Sequence, residues 1–164
     1  SVPNDPLVEQ SLAITREIQD RPLEAQALTY LGDVYRNLRD YSKALDLSQQ
    51  SLKIAQDIKS PTSEVYALDN LGNTYSNLGA YQKSNEFYQQ LVVKLRQLKN
   101  RNGEAFALLA IAGNYYNTGE AQKTVDFAQK SLAILKESKK PAWEIVPHRM
   151  LSLGYWTDTA KMLH

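Results

Sequence analysis

Apolar residues recur along this chain at helical spacing, and the spacing itself recurs. Ala27, Leu28, Leu31, Val34, Tyr35 and Leu38 fall on one broad stripe of a 3.6-residue helix. After a break at Asn37 to Asp40, a second stripe runs through Ala44, Leu45, Leu52, Ala55 and Ile58. Asp40 is placed to cap the second helix, Pro61 and Pro141 stand where a following helix takes its first residue, and Gly79 and Gly119 mark turns. The pattern predicts a helix over 6–19, helix pairs at 23–37 and 41–59, 62–77 and 81–98, 103–117 and 121–138, and a last helix over about 142–156. No alternating pattern of the kind that builds strands competes with it.

Written in rows of forty, the chain aligns with itself. "YLGDVYRNLRDYSKA" at 30–44 meets "NLGNTYSNLGAYQKS" at 70–84, and "SLAITREI" at 11–18 meets "SLKIAQDI" at 51–58 and "SLAILKES" at 131–138. One column holds Glu24, Glu64, Glu104 and Glu144; another holds Tyr35, Tyr75, Tyr115 and Tyr155; a third holds Leu31, Leu71, Ile111 and Leu151. Two amphipathic helices cannot bury their stripes alone, so such pairs stack on their neighbours and share a continuous core.

Leu31-Gly32 and Leu71-Gly72, a Tyr three residues after each Gly, and a small residue nine beyond that Tyr (Ala44, Ser84) resemble the tetratricopeptide repeat. The 40-residue period and the "SLAI" or "SLKI" phrase are similar to the subtype found in kinesin light chains, Pins-type adaptors and bacterial signalling proteins. The third row departs with Ala112-Gly113 and with Thr124 at the small site; the fourth has Pro147 in the column of Ala27, and His148 beside it. The resemblance implies an all-α, right-handed superhelical solenoid of antiparallel helix pairs. On this reading residues 1–164 form one array: a B helix of a partial repeat at 1–20, full repeats at 21–60, 61–100 and 101–140, and a degenerate partial repeat at 141–164, cut from a longer protein.

Charge and composition narrow the partners. Lys plus Arg (19) nearly cancel Asp plus Glu (18), so the field that would steer the chain onto nucleic acid or an anionic membrane is missing. There is no cysteine, no leader-like apolar segment and no run of about 20 apolar residues, and the expectation is a cytoplasmic chain that binds neither nucleic acid nor membrane. Candidate chemistry is sparse. The Glu column recurs in register, but stacked repeats hold such carboxylates further apart than a catalytic pair requires. Each Glu in a first helical turn also meets the positive end of the helix dipole, which accounts for the column. His148 and His164 lack metal-ligand spacing, "NRNG" at 100–103 lacks the flanks of a phosphate loop, and Lys136, Lys139 and Lys140 complement a helix C-terminus. No enzyme activity, cofactor or metal is expected.

Asn37, Asn77 and Asn117 recur where the first helix of each pair ends, either as a helix-stop signal or as groups that grip a peptide backbone with a donor and an acceptor each. Asn70 and Asn73 sit inside a helix, where Asn has poor propensity, and are expected to lie outside the core and serve binding. The resemblance implies a concave wall of Gln26, Thr29, Tyr30, Asp33, Tyr66, Asp69, Asn70, Asn73, Phe106, Leu109 and Ala110, with Arg36, Asn37, Asn77 and Asn117 at the rim. The expected function is a module that binds an extended peptide or helix of a partner protein. The rivals are a segment that self-associates weakly through uncapped ends, and the regulatory sensor of a larger bacterial signalling enzyme or transcription regulator.

Overall fold

The computed structural model describes residues 6–137, and these form seven α-helices: α1 (Pro6–Glu17), α2 (Arg21–Asn37), α3 (Tyr41–Asp57), α4 (Pro61–Asn77), α5 (Tyr81–Gln97), α6 (Arg101–Asn117) and α7 (Ala121–Glu137). The helix expected over 142–156, with Glu144, Pro147, His148, Leu151 and Tyr155, lies outside the described residues, as do Lys139, Lys140 and His164. Each helix from α2 to α7 has 17 residues. With three-residue links, the forty-residue period is two such half-periods.

The links explain that regularity. Arg39 takes a left-handed φ of 63°; its N–H donates to the Arg36 carbonyl, and the Asp40 N–H donates to the Tyr35 carbonyl. This is the Schellman ending, which satisfies carbonyls a helix terminus would otherwise leave bare. Gln19, Lys59 and Lys99 take the same conformation, with φ of 56°, 53° and 55°, as do Gly79 and Gly119. The sequence signals the turn only where it is glycine. The residue that completes one ending also opens the next helix: Asp20, Asp40, Ser60 and Asn100 accept from the N–H three residues on. Helices α2, α4 and α6 begin one or two residues before their expected starts; in α2 and α4, Pro22 and Pro61 occupy first-turn positions where a missing N–H costs nothing.

The chain divides into two compact units at Leu78–Gly79. In the first, α2 packs on α1, α3 and α4, and α3 packs on α4. Its core contains Leu12, Ala25, Ala27, Leu28, Leu31, Tyr35, Ala44 and Ile54, with Ala67, Leu68, Leu71 and Tyr75 of α4 also buried. In the second, α6 packs on both α5 and α7, and Tyr88, Leu91, Leu95, Leu108, Ile111, Leu132 and Leu135 are buried. The repeat columns are therefore columns of burial: Leu31, Leu71 and Ile111 are at most 3% exposed, and the small residues Ala44, Ser84 and Thr124 are fully enclosed. Gly32 shows why small residues are required, because a Cβ there would lie 2.7 Å from Ser48 Oγ and 3.4 Å from the Ala44 carbonyl oxygen. Its absence lets α2 lie directly on α3.

Polar residues stitch the same interfaces. In the "SLKI" and "SLAI" phrases, Ser51 Oγ donates to the Ala25 carbonyl and Ser131 Oγ to the Ala105 carbonyl, both at 2.8 Å, tying α3 to α2 and α7 to α6. In the second unit Asn114 Nδ2 donates to Ser84 Oγ at 2.8 Å and to Asn85 Oδ1 at 2.7 Å, all three residues being buried.

The Glu column does sit in the first turns of α2, α4 and α6, and two of its members are clamped. Glu24 takes Arg16 Nε at 2.9 Å and Arg21 Nη1 at 2.8 Å; Glu104 takes Arg96 Nη2 and Arg101 Nη1, each at 2.8 Å. Burial pushes the Glu24 carboxyl up, but the hydrogen bonds and charges of Arg16 and Arg21 outweigh it and hold the group below its usual range. The forty-residue equivalents of these arginines in the middle repeat are Gln56 and Pro61, so this pair of arginines does not recur there.

Candidate functional site

In the first unit, α2 and α4 pack side by side and bring most of the expected wall together. Between their N-terminal halves is a recess of about 370 Å³, lined by Pro22, Leu23, Gln26, Thr29, Tyr30, Ser60, Thr62, Ser63 and Tyr66. It carries no charged side chain. Tyr30 and Tyr66 are each 59% exposed and Leu23 is 45% exposed, an unusual concentration of open apolar surface for one place in so small a fold. Gln26, Thr29, Tyr30 and Tyr66 were legible as wall residues; Pro22, Leu23, Ser60, Thr62 and Ser63 were not. Leu23 was hidden by phase: four residues before Ala27, it falls at the edge of the stripe that faces the core, yet it is left open at the start of α2.

A second recess, also about 370 Å³, lies towards the C-terminal ends of α2 and α4 and is lined by Arg36, Asn37, Arg39, Tyr41 and Asn77. Three of these were expected at the rim. Arg36 Nη2 is paired with Asp33, while its Nε is enclosed without a hydrogen-bond partner. Asp69 stands on the same wall. The protein crowded around its carboxyl pushes it above the usual range, against the opposing pull of Arg36 and of the Asn73 amide, and Asp33 adds to the rise. Asp69 keeps an open face while being crowded, as a side chain on the wall of a concavity would.

The expectation for Asn70 needs correction. Its side chain is 6% exposed, and Nδ2 donates to the Thr29 carbonyl at 2.8 Å, joining α4 to α2. It lies inside the packing, because the amide supplies a bond between neighbouring helices that no apolar side chain could. Asn73 is half-buried and bonds its own helix, Nδ2 reaching the Asp69 carbonyl at 2.9 Å and Asp69 Oδ2 at 3.0 Å. Asn37 and Asn77 are exposed.

Phe106, Leu109, Ala110 and Asn117 belong to α6 in the second unit. Phe106 is 41% exposed, Leu109 and Ala110 are half-buried, and Asn117 is exposed. Tyr115 is more open than Tyr35 and Tyr75 of its column: it is half-buried and stacked on Phe127 at 5.5 Å, with the Lys123 ammonium 4.9 Å from its ring centre. Among the described residues no group of His, Cys, Asp and Glu is arranged to hold a metal, and no helix is long and apolar enough to cross a membrane.

Comparison with known proteins places this geometry. Residues 6–57 match one family model of the tetratricopeptide repeat and residues 67–101 match another, together more than half of the chain. No curated protein matches closely enough to count as a relative. Among solved structures, BtubC (BKLC) from P. vanneervenii is similar with a TM-score of 0.85 at 16% identity, over 94% of this chain and 65% of that one. A signal transduction ATPase with numerous domains and a tetratricopeptide repeat sensor, from Pyrococcus horikoshii, gives 0.78 at 22% identity, over 94% of this chain but 23% of its own. The nearly identical repeats of a candidate kinesin light chain from Podosopora anserina give 0.79 at 18% identity, over 96% and 78%. The chain thus spans less than two thirds of the first two structures, and at these identities the likeness concerns the fold, an all-α repeat solenoid. In its repeats and in its fold, the chain belongs to the tetratricopeptide-repeat family.

Proposed function

We propose that the face shared by α2 and α4 binds a segment of a partner protein, with an apolar side chain of that segment seated between Tyr30 and Tyr66. Tetratricopeptide repeats generally mediate protein–protein interaction, and the observation that carries the proposal is the uncharged recess with its exposed tyrosines and Leu23. Tyrosine suits the role, giving a large rigid contact area at little entropic cost and a hydroxyl that tolerates water when the site is empty. Gln26 and Thr29 beside them, and the exposed Asn37 and Asn77 further along, offer amide and hydroxyl groups to a main chain crossing the face.

The test selects peptides on the immobilised chain from a displayed random library and measures their affinity by fluorescence anisotropy. Tyr30→Ala/Tyr66→Ala should weaken binding by about ten-fold or more, the loss of two anchors. Melting should shift little, because both side chains are largely exposed. Selected peptides that bind the double variant as well as the parent would end the proposal. A second reading, that the chain is the sensor segment of a larger signalling protein, draws support from the fraction of the Pyrococcus ATPase it spans. It is compatible with the first, since such a sensor would read its signal through the same face.

A further inference from the structure

We propose that the recess between Tyr30 and Tyr66 takes a proline-rich segment of the partner in the polyproline II conformation, with one proline ring laid on each tyrosine. This rests on the groove reading above and names the chemistry of its ligand. The two tyrosines reach the recess from different helices, each 59% exposed, and Pro22 and Leu23 at the start of α2 extend the apolar surface. No charged side chain lines it, so a charged ligand residue would be desolvated there without a partner.

The hydrogen bonds of the lining separate proline from other apolar residues. Thr29 Oγ1 donates to the Ala25 carbonyl at 3.0 Å and lies 2.8 Å from Ser51 Oγ. Ser60 Oγ lies 2.9 Å from Ser63 Oγ and accepts from the Ser63 N–H. These three hydroxyls are thus engaged within the protein. Tyr30 Oη accepts from Gln26 Nε2 at 3.4 Å, so its own proton is directed elsewhere and can meet a carbonyl of the ligand. Tyr66, equally open, brings a second phenolic donor. An ordinary extended peptide carries an N–H at every residue, and each one covered by the recess would need an acceptor. A run of prolines has no N–H, and in polyproline II its carbonyls have no internal partner.

The size of the recess points the same way. At about 370 Å³ it offers limited contact, and a segment already fixed in its bound shape gives up the least freedom on docking. Polyproline II is such a shape, and rigid aromatic walls are the surface on which it docks. The negative face of each tyrosine ring attracts the C–H groups beside the proline nitrogen, which carry partial positive charge. Both walls are held before binding: Asp20 accepts from the Leu23 N–H at the start of α2, as Ser60 does from Ser63 at the start of α4. Other modes of peptide recognition fit less well. Among the described residues no strand offers an edge for a peptide to extend, and a helical ligand would keep its carbonyls bonded within itself.

The experiment titrates the isotopically labelled chain with acetylated, amidated hexaproline and with a neutral leucine–serine peptide of the same length. Nuclear magnetic resonance follows the backbone amides of Leu23, Gln26, Tyr30, Ser63 and Tyr66. The expected result is a saturable shift of these signals with hexaproline, and binding weaker by about five-fold or more with the leucine–serine peptide. Tyr30→Leu and Tyr66→Leu keep apolar bulk but remove the ring, and each should weaken hexaproline binding by about five-fold or more. Tyr30→Phe removes only the hydroxyl and should weaken it by about two- to three-fold. Both tyrosines are largely exposed, so the melting of these variants should stay near that of the parent. If Tyr30→Leu fails to fold, the Tyr66 variant and the comparison of the two peptides decide. Hexaproline that leaves the signals unmoved, a leucine–serine peptide that binds as tightly, or indifference to the loss of either ring overturns the assignment. The groove reading has a separate outcome: library peptides without proline that bind the parent and are lost in Tyr30→Ala/Tyr66→Ala would uphold it while ending this proposal.

Discussion

Replacing Asn70 by Ala tests whether a polar residue on the inner helix belongs to packing or to binding. The side chain is 6% exposed and its amide gives the Thr29 carbonyl a bond of 2.8 Å from the neighbouring repeat. Losing that bond should cost about 0.5–1.5 kcal/mol net, and the space vacated by the amide adds to it. Ala returns about 0.6 kcal/mol through its better helix propensity. The Thr29 carbonyl faces its own helix as well, so its desolvation is not the full penalty. The balance is a loss of about 1 kcal/mol, or about 2–4 °C in melting temperature for a chain of this size. Asn73→Ala is the control: its amide bonds the Asp69 carbonyl and carboxylate on its own helix, and these two bonds are solvent-exposed. That substitution should be neutral or slightly stabilising. Urea denaturation of the two variants and the parent, followed by circular dichroism at one salt concentration, gives the comparison. If Asn70→Ala melts with or above the parent, the bond between α4 and α2 contributes nothing and the residue returns to the groove. If the two variants are equally damaged, burial is not what separates them.

Three further outcomes follow from the same packing. Leu71→Ala, at a fully enclosed position, should destabilise by about 3–5 kcal/mol in chemical denaturation, while Glu64→Ala, at a helix N-terminus, should cost about 1 kcal/mol or less. Lys59→Gly and Lys99→Gly, at φ of 53° and 55°, should each raise stability by about 0.5–1 kcal/mol, and Gly79→Ala, at 74° with open space around the missing Cβ, should lower it by about 1 kcal/mol. Glu24 has a folded pKa below its ordinary 4.5, so its contribution is present above about that pH and is lost as pH falls through the lower folded value. The stability gap between the parent and Glu24→Gln, measured by thermal melts, should therefore be constant near neutrality and close in acid; a gap that widens in acid refutes the clamp.

Among the described residues, helix number and phase were readable because the stripe that faces the core must recur wherever two helices pack the same way. Leu31, Leu71 and Ile111 obey that demand, as do Ala44, Ser84 and Thr124. The helix ends were less legible. Arg39, Lys59 and Lys99 hold the left-handed turn that Gly79 and Gly119 announce, because hydrogen bonds on both sides compel a conformation that the residue itself disfavours. The wall residues Tyr30, Tyr66, Arg36 and Asn77 follow from phase, being on the helix face left after the core stripe is assigned. Asn70 shows the limit of phase. It lies near the border of that stripe, and whether a border residue turns inward depends on a carbonyl 41 residues away, which periodicity does not locate. Arg39 and Tyr41 were missed for the related reason that they sit in and after a link, where helical phase is interrupted.

The three-residue links reverse an ordinary expectation about where a chain tolerates changes of length. Surface connections usually accept an extra residue easily, since closing a longer loop costs little. Here Asp40 completes the ending of α2 with its backbone N–H and starts α3 with its side chain. One residue more or fewer would separate those two duties and leave a helix terminus bare on each side. Helix interiors are equally intolerant, because a single insertion rotates every later residue by about 100°. Length variation in this chain should therefore arise by gain or loss of whole forty-residue blocks, each carrying its caps intact, and a scan of single-residue insertions should find the exposed links no safer than the helices they join.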